Sequence, residues 1–258
     1  MARLIWGVTE DVTCDAFLGG RLQILQPRHG YRAGVDPVLL AASIAARAGQ
    51  SVLELGCGVG TAALCLGRRV PGLTLTGVEV QPDYANLARR NAAANDLPLQ
   101  VITADLRALP ADLRQRRFDH VIMNPPYFDR DTGTAATDPG RDTALGGDTP
   151  LADWLDIGAR RLAPKGYLTL IQRIERLPEV LSALQGRLGS VVVLPIAGRT
   201  ARAPGLFILR ARQEGRAPFC LLPALETHIG IAHDGDKDSY TPLVGAILRN
   251  GADLPMGR

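Results

Sequence analysis

A short segment, Asn124-Pro125-Pro126-Tyr127, follows an apolar run that is predicted to be a buried strand. Two consecutive prolines fix φ and remove two N–H donors, so we expect a stiff turn. The Asn124 side-chain oxygen and the Pro125 carbonyl can accept both protons of one planar –NH2 group. The Tyr127 ring can stack on a planar base. We therefore interpret Asn124, Pro125, Pro126 and Tyr127 as catalytic residues that act on an amine nitrogen.

A glycine-rich segment, Glu54-Leu55-Gly56-Cys57-Gly58-Val59-Gly60, ends another predicted strand and leads into a predicted helix. Glycines permit a tight turn with close backbone approach to a ligand, and a helix N-terminus offers free N–H groups. Dinucleotide dehydrogenases use G-x-G-x-x-G, but Thr61 stands where their third glycine would be. The spacing G-x-G-x-G, with an acid two residues earlier, is typical of methyltransferases. We expect Glu54, Gly56, Cys57, Gly58 and Gly60 to bind the cofactor.

Two more carboxylates end predicted strands. Glu79, about 20 residues past the glycines, is expected to accept from a ribose diol, with Val80 against an adenine face. Asp105, next to Leu106, can accept from the adenine amine. Three acids at successive strand ends indicate bound S-adenosylmethionine, which becomes S-adenosylhomocysteine when its methyl group is transferred. The amine nitrogen would attack that methyl group in line, so catalysis would depend on positioning and preorganised dipoles.

Strands alternate with helices along the chain, which predicts an α/β fold. We expect a Rossmann-like class I methyltransferase domain over 36–258, with a mostly parallel seven-stranded sheet and helices on both faces. Residues 1–35 form an N-terminal extension with a β-hairpin over 14–26, and Asp36 is the expected N-cap of the next helix, with Pro37 at its first position. Predicted strands are 51–55, 73–80, 99–104, 118–123, 167–171, 190–195 and 206–211, and predicted helices are 60–70, 82–94, 151–162 and 177–188.

The bulk composition favours a folded cytoplasmic protein. Of 258 residues, 46% are hydrophobic, and neither a signal peptide nor a bilayer-length apolar run is visible. The four cysteines form no C-x-x-C pair, so no metal site is expected. A net charge of +3 permits a nucleic-acid partner without requiring one. Eight arginines are either RNA-phosphate contacts or ordinary surface charge: Arg114, Arg116, Arg117, Arg199, Arg202, Arg210, Arg212 and Arg216.

The two central motifs together resemble those of class I, small-methyltransferase-type N-methyltransferases. The stretch from Tyr31 to Ala41 further resembles the opening motif of the tRNA adenine-N6 methyltransferases that act beside the anticodon of a valine tRNA. The resemblance implies an RNA partner, a tRNA, with Asn124 contacting both base and cofactor. It also implies that the loop containing Arg32 and Asp36 lies near the amino acid end of the cofactor.

Other functions remain open at the level of sequence. The pair of acceptors formed by the Asn124 side-chain oxygen and the Pro125 carbonyl, here called the amine clamp, would also serve a protein-glutamine methyltransferase or another nucleic-acid N-methyltransferase. A non-catalytic RNA-binding module on the same fold is a third possibility, against which the intact catalytic turn argues. The loop over 128–150 is a candidate substrate lid or a plain connection. The sequence leaves the RNA, the nucleotide and the oligomeric state undetermined.

Overall fold

A computed structural model describes residues 11–127, 149–230 and 239–257. The described chain folds into a hairpin and one large sheet flanked by helices. The strands are β1 (Val12–Phe17), β2 (Leu22–Pro27), β3 (Ser51–Leu55), β4 (Thr74–Glu79), β5 (Leu99–Thr103), β6 (Phe118–Met123), β7 (Leu162–Arg173), β8 (Gly189–Ala197), β9 (Leu206–Arg212), β10 (Cys220–Leu221) and β11 (Leu225–Glu226). The helices are α1 (Asp36–Ala42), α2 (Thr61–Arg69), α3 (Pro82–Ala94), α4 (Ala111–Gln115), α5 (Leu151–Arg160), α6 (Leu177–Leu184) and α7 (Pro242–Asn250).

The order of the sheet creates a crevice at its centre. The strands lie in the order β5-β4-β3-β6-β7-β9-β8, with the short strands β10 and β11 both paired to β8. All pairings are parallel except those of β9, which runs antiparallel to β7 and β8. The chain leaves β3 toward β4 and β5, then returns to place β6 on the other side of β3. Such a reversal opens a crevice at the carboxyl ends of β3 and β6.

Each face of the sheet is covered by its own hydrophobic core, because alternate side chains of a strand point to opposite faces. Val52 and Ile122 belong to the core formed with the hairpin, α1, α2, α3 and α7. Leu53 and Met123 belong to the core formed with α4, α5 and α6. The strands therefore read as continuous apolar runs in the sequence, as expected for a parallel sheet buried on both sides.

The hairpin is fixed to the domain by Asn91 of α3 and by Asn95, which caps the C-terminus of that helix. The Asn91 side chain accepts from Leu25 N at 2.7 Å and donates to Leu25 O at 3.0 Å and Val59 O at 2.9 Å. The Asn95 side chain pairs in the same way with the N–H and C=O of Gln23, at 2.9 and 2.8 Å. The two side-chain amides thus pair with the backbone N–H and C=O groups on the free edge of β2, as a neighbouring strand would.

The predicted hairpin, alternating strands and sheet-flanking helices are confirmed, with corrections at their ends. The helix predicted to begin after an Asp36 cap has Val35 at its N-cap, and Asp36 lies in its first turn. The strand predicted over 167–171 is more than twice as long, since β7 begins at Leu162 and runs to Arg173, 12 residues in all. Most of the loop over 128–150 lies outside the described residues. The boundary at residue 35 stays a prediction, since hairpin and helices share one core.

Two general findings concern the described ranges alone. In 11–127, 149–230 and 239–257, no helix is long and apolar enough to cross a membrane. No group of three or more His, Cys, Asp and Glu side chains in these ranges is arranged to hold a metal ion.

Replacing Asn91 by alanine is expected to lower the free energy of unfolding by about 2–4 kcal/mol, because three buried backbone groups lose their partner. Urea unfolding followed by far-UV circular dichroism measures the change. Asn86→Ala, on the exposed side of the same helix, is the matched control and should change stability by less than about 1 kcal/mol. Equal losses in the two variants would show that the asparagine does not fix the hairpin.

Candidate active site

A cavity of about 320 Å3 lies at the carboxyl edge of the sheet, where β3, β4, β5 and β6 end. Its volume falls within the range of small-molecule sites. The lining combines the glycine turn, the ends of three further strands and one residue of α5. The lining residues are Tyr31, Gly56, Gly58, Val78, Glu79, Val80, Gln81, Tyr84, Asp105, Leu106, Arg107, Asn124, Pro125, Pro126, Tyr127, Thr149 and Trp154.

The glycine turn after β3 has a backbone that other residues would strain. Gly56 has φ +65°, and a β-carbon there would lie 2.5 Å from the Trp154 ring. Gly58 has φ +54°, and a β-carbon there would meet no described protein atom within 4 Å, so it would enter open space beside the cavity. The turn thus presents bare backbone to a ligand, and this cradle fits the close approach expected of S-adenosylmethionine.

Glu79 ends β4 and joins it to the glycine turn. Its carboxylate accepts from Gly58 N at 2.8 Å and from Gln81 N at 2.9 Å. Burial raises the pKa of this carboxyl above its ordinary value, although the backbone N–H donors counteract the shift. The next residue, Val80, is 53% exposed and lines the cavity. An acceptor beside an apolar surface has the chemistry that a ribose and an adenine require, and the contacts of Glu79 and Val80 with them stay a prediction.

Asp105 lies at the end of β5 and caps the single turn that follows. It accepts from Arg107 N at 2.8 Å and forms an ion pair with the Arg107 guanidinium at 3.0 Å. The hydrogen bonds from Arg107 lower the pKa of the Asp105 carboxyl, so it is ionised at neutral pH. Arg107 and Leu106 line the same wall of the cavity.

The segment Asn124–Tyr127 after β6, called the catalytic turn for its predicted role, carries an unpaired acceptor. Asn124 Nδ2 donates to the Tyr31 hydroxyl at 3.4 Å. Asn124 Oδ1 is buried and has no hydrogen-bond donor among the described residues. A buried acceptor of this kind costs free energy unless a ligand supplies the donor. Because Asn124 also lines the cavity, a molecule bound there is a candidate donor for this oxygen.

The carbonyls of the two prolines are contacted from the neighbouring strand. Gln172, at the end of β7, is fully buried, and its Nε2 lies 3.3 Å from both Pro125 O and Pro126 O. Its Oε1 accepts from Arg173 N at 2.8 Å, which fixes the orientation of the amide. Each carbonyl oxygen has two lone pairs, so Pro125 keeps one for a substrate N–H. Gln172 therefore orients the turn.

Asp36 lies against the catalytic turn. The Tyr127 hydroxyl donates to Asp36 Oδ2 at 2.6 Å. Burial and the nearby Asp36 carboxylate raise the pKa of Tyr127, and the same two causes raise that of Tyr31. Both phenols are therefore neutral in the physiological range.

Comparison with known proteins identifies the family. Residues 33–138 match the model of the methyltransferase small domain. A curated protein of a Flavobacteriaceae bacterium, named tRNA1(Val) (adenine(37)-N6)-methyltransferase, is 28% identical over 74% of this chain and 73% of its own. A protein of the same name from Porphyromonas gingivalis is 33% identical over 175 residues, 64% of this chain and 68% of its own. The chain belongs to this methyltransferase family.

Solved structures agree on the fold. A predicted O-methyltransferase of Agrobacterium tumefaciens superposes with a TM-score of 0.68 and 24% identity, covering 85% of this chain and 98% of that one. The Thermus thermophilus 16S rRNA N2 G1207 methyltransferase, solved with AdoMet and guanosine, gives a TM-score of 0.55 and 21% identity over 78% of this chain and 50% of its own. The chain therefore has the fold of class I methyltransferases, whose cofactor is S-adenosylmethionine.

Five of the residues predicted to bind the cofactor lie outside the cavity lining of this methyltransferase. Glu54 is buried beneath the turn and accepts from Ala63 N at 2.9 Å. Cys57 packs against Gly77 of β4, and burial raises the pKa of its thiol. Gly60 is the N-cap of α2. Arg32 pairs with Asp15 of the hairpin, and Asp36 with the catalytic turn.

Four residues with evident roles were not predicted as site residues. Gln172 directly follows a predicted strand, so the rule that chemistry collects after strand ends could have found it. Tyr31 stands in the motif quoted for the family resemblance. Tyr84 and Trp154 lie within helices, and their sequence spacing carries no signal of a cavity.

The basic cluster between β5 and β6 is remote from the cavity. Arg116 donates to Gln100 and Thr76 and lies over the Phe118 ring, near the amino ends of the strands. A strand of six residues such as β6 spans about 20 Å. Arg114, Arg116 and Arg117 therefore lie away from the mouth of the cavity. Their contact with RNA phosphates stays a prediction.

The buried Glu54 predicts a pH dependence of stability. Burial raises its pKa to about 8, with a further contribution from Glu79. Between the ordinary value near 4.5 and 8, the folded state holds a proton that the unfolded state has released, so stability falls as the pH rises. Glu54→Gln should remove this fall, and urea unfolding of both proteins at pH 5, 6.5 and 8 measures it. Identical slopes in the two proteins would contradict the assignment.

Proposed function

We propose that this methyltransferase transfers a methyl group to the N6 amine of an adenine in tRNA. The observation that carries the proposal is the buried, unpaired Asn124 Oδ1, in a residue that lines the same cavity as Pro125 and the glycine turn. A planar –NH2 group has two protons, and these two oxygens are the acceptors for them. The names of the relatives support adenine in tRNA as the substrate.

The catalytic turn positions the target amine. The Asn124 and Pro125 oxygens draw the amine protons toward themselves, so the nitrogen lone pair loses conjugation and becomes nucleophilic. Tyr127 lines the same wall, and its ring stacks on the adenine. Two prolines and Gln172 preorganise the acceptors, so little reorganisation is needed during the reaction.

The other wall of the cavity accommodates the cofactor. When bound, S-adenosylmethionine supplies a methyl group activated by a sulfonium. Gly56 and Gly58 have no side chains, so the backbone of the glycine turn can contact the cofactor closely. Glu79 accepts from the ribose hydroxyls, and Val80 covers the adenine. Asp105 has a second lone pair on its Arg107-bound oxygens for the adenine amine. The two walls thereby bring methyl donor and amine together.

Incubation with total bacterial RNA and methyl-labelled S-adenosylmethionine, followed by nucleoside mass analysis, tests the proposal. We expect the label in N6-methyladenosine and in the tRNA fraction. Label in N2-methylguanosine, or in glutamine when a cell extract is used, would assign the same amine clamp to another substrate. No label in any fraction would contradict the enzymatic function.

Asn124→Ala is expected to lower kcat about a hundredfold or more, because one preorganised acceptor is lost. The dissociation constant for S-adenosylmethionine, measured by calorimetry, should stay within about twofold, since the ribose and adenine contacts assigned above lie at the ends of β3, β4 and β5. A larger rise would show that Asn124 also contacts the cofactor, as the family resemblance implies. Asn86→Ala again serves as the control and should leave kcat unchanged. Full activity of the Asn124 variant would disprove the proposed clamp.

A further inference from the structure

The hydrogen bond between Tyr127 and Asp36 joins two segments that are 91 residues apart in sequence. At 2.6 Å from oxygen to oxygen, it has the length of a bond between a hydroxyl and a charged acceptor. Tyr127 follows two prolines, whose fixed φ values limit the freedom of the turn. The direction of the Tyr127 ring is therefore set at its far end by the Asp36 carboxylate.

Asp36 itself is held in place by a buried helix. It is the first residue of α1, and the six residues that follow, from Pro37 to Ala42, are all buried. A helix packed along its whole length cannot shift without disturbing the core. The Tyr127 hydroxyl is therefore bound to a carboxylate whose position is fixed by α1.

The same segment reaches the amine acceptor. The Tyr31 hydroxyl accepts from Asn124 Nδ2, which leaves Oδ1 directed elsewhere. The backbone of Tyr31 is fixed in turn by the Tyr84 hydroxyl, which accepts from Tyr31 N at 2.9 Å and donates to Tyr31 O at 3.1 Å. Residues 31 and 36 therefore contact both functional side chains of the catalytic turn.

We infer that Asp36 is a positioning residue, which holds the Tyr127 ring in the orientation that stacks on the target base. This inference rests on the proposed function and adds a role that differs from cofactor binding. If Asp36 bound the cofactor, its substitution would lower the affinity for S-adenosylmethionine. If it positions the ring, its substitution lowers kcat/KM for RNA, and only when the Tyr127 hydroxyl is present.

A double-mutant cycle with Asp36→Ala and Tyr127→Phe separates these roles. Each single variant should lower kcat/KM for RNA about tenfold, because each removes one partner of a charge-assisted hydrogen bond. The double variant should be no more than about twofold worse than either single one. Asp36→Asn, which can still accept from the hydroxyl, should recover part of the activity. Asp112→Asn, on α4 at the opposite edge of the sheet, is the control and should match the wild type.

The affinity for S-adenosylmethionine, measured by calorimetry without RNA, completes the test. It should change by less than about twofold in all variants. Should the alanine variant fail to fold, the cycle is run with Asp36→Asn in its place. The inference is then supported if Asp36→Asn lowers kcat/KM in the protein that has Tyr127 and has no further effect in the Tyr127→Phe variant. Additive losses, or a loss of cofactor affinity equal to the loss of kcat/KM, would overturn it. An inactive wild type would overturn the proposed function together with the inference, whereas an active wild type with additive losses overturns the inference alone.

Discussion

The site depends on the parallel pairing of β3 with both β4 and β6. Parallel neighbours end at the same edge, so the segments that follow them meet although they are far apart in sequence. Because β4 and β6 lie on opposite sides of β3, the segments that follow these strands diverge and leave a crevice. The glycine turn lies on one side of the crevice and the proline turn on the other. The proposed encounter between methyl donor and amine is a direct consequence of strand order.

The second requirement is rigidity, which the surrounding polar contacts provide. Gln172 contacts the proline carbonyls from β7, Glu79 contacts the glycine turn from β4, and Asp36 contacts Tyr127 from α1. In each case a side chain from a strand or helix that packs in the core holds a turn that lines the cavity. Each contact therefore restrains a turn that lines the cavity.

Local patterns predicted the elements and most of the cavity lining. The bounds of β3, α3 and β6 agree with the sequence prediction, since glycines, prolines and continuous apolar runs define them. The errors concern contacts between distant segments. Asp36 resembles a helix cap because the residue after it is proline, yet its partner Tyr127 is 91 positions away. Asn91 resembles an ordinary helix residue, and only the position of β2 reveals its role. The position of the basic cluster also depends on distant contacts, because charge alone does not tell which edge of the sheet a loop occupies, and its contact with RNA stays a prediction.

The contact between Gly56 and Trp154 has an optical consequence. The indole ring lies against the glycine turn and lines the cavity, so a molecule seated there changes the polarity around it. The sequence contains two tryptophans, and the other, Trp6, precedes the described residues. Once Trp6 is replaced by phenylalanine, intrinsic fluorescence excited at the red edge of the tryptophan band is expected to follow the occupancy of the turn. The protein carries its own reporter for ligand exchange, without a label attached to either partner.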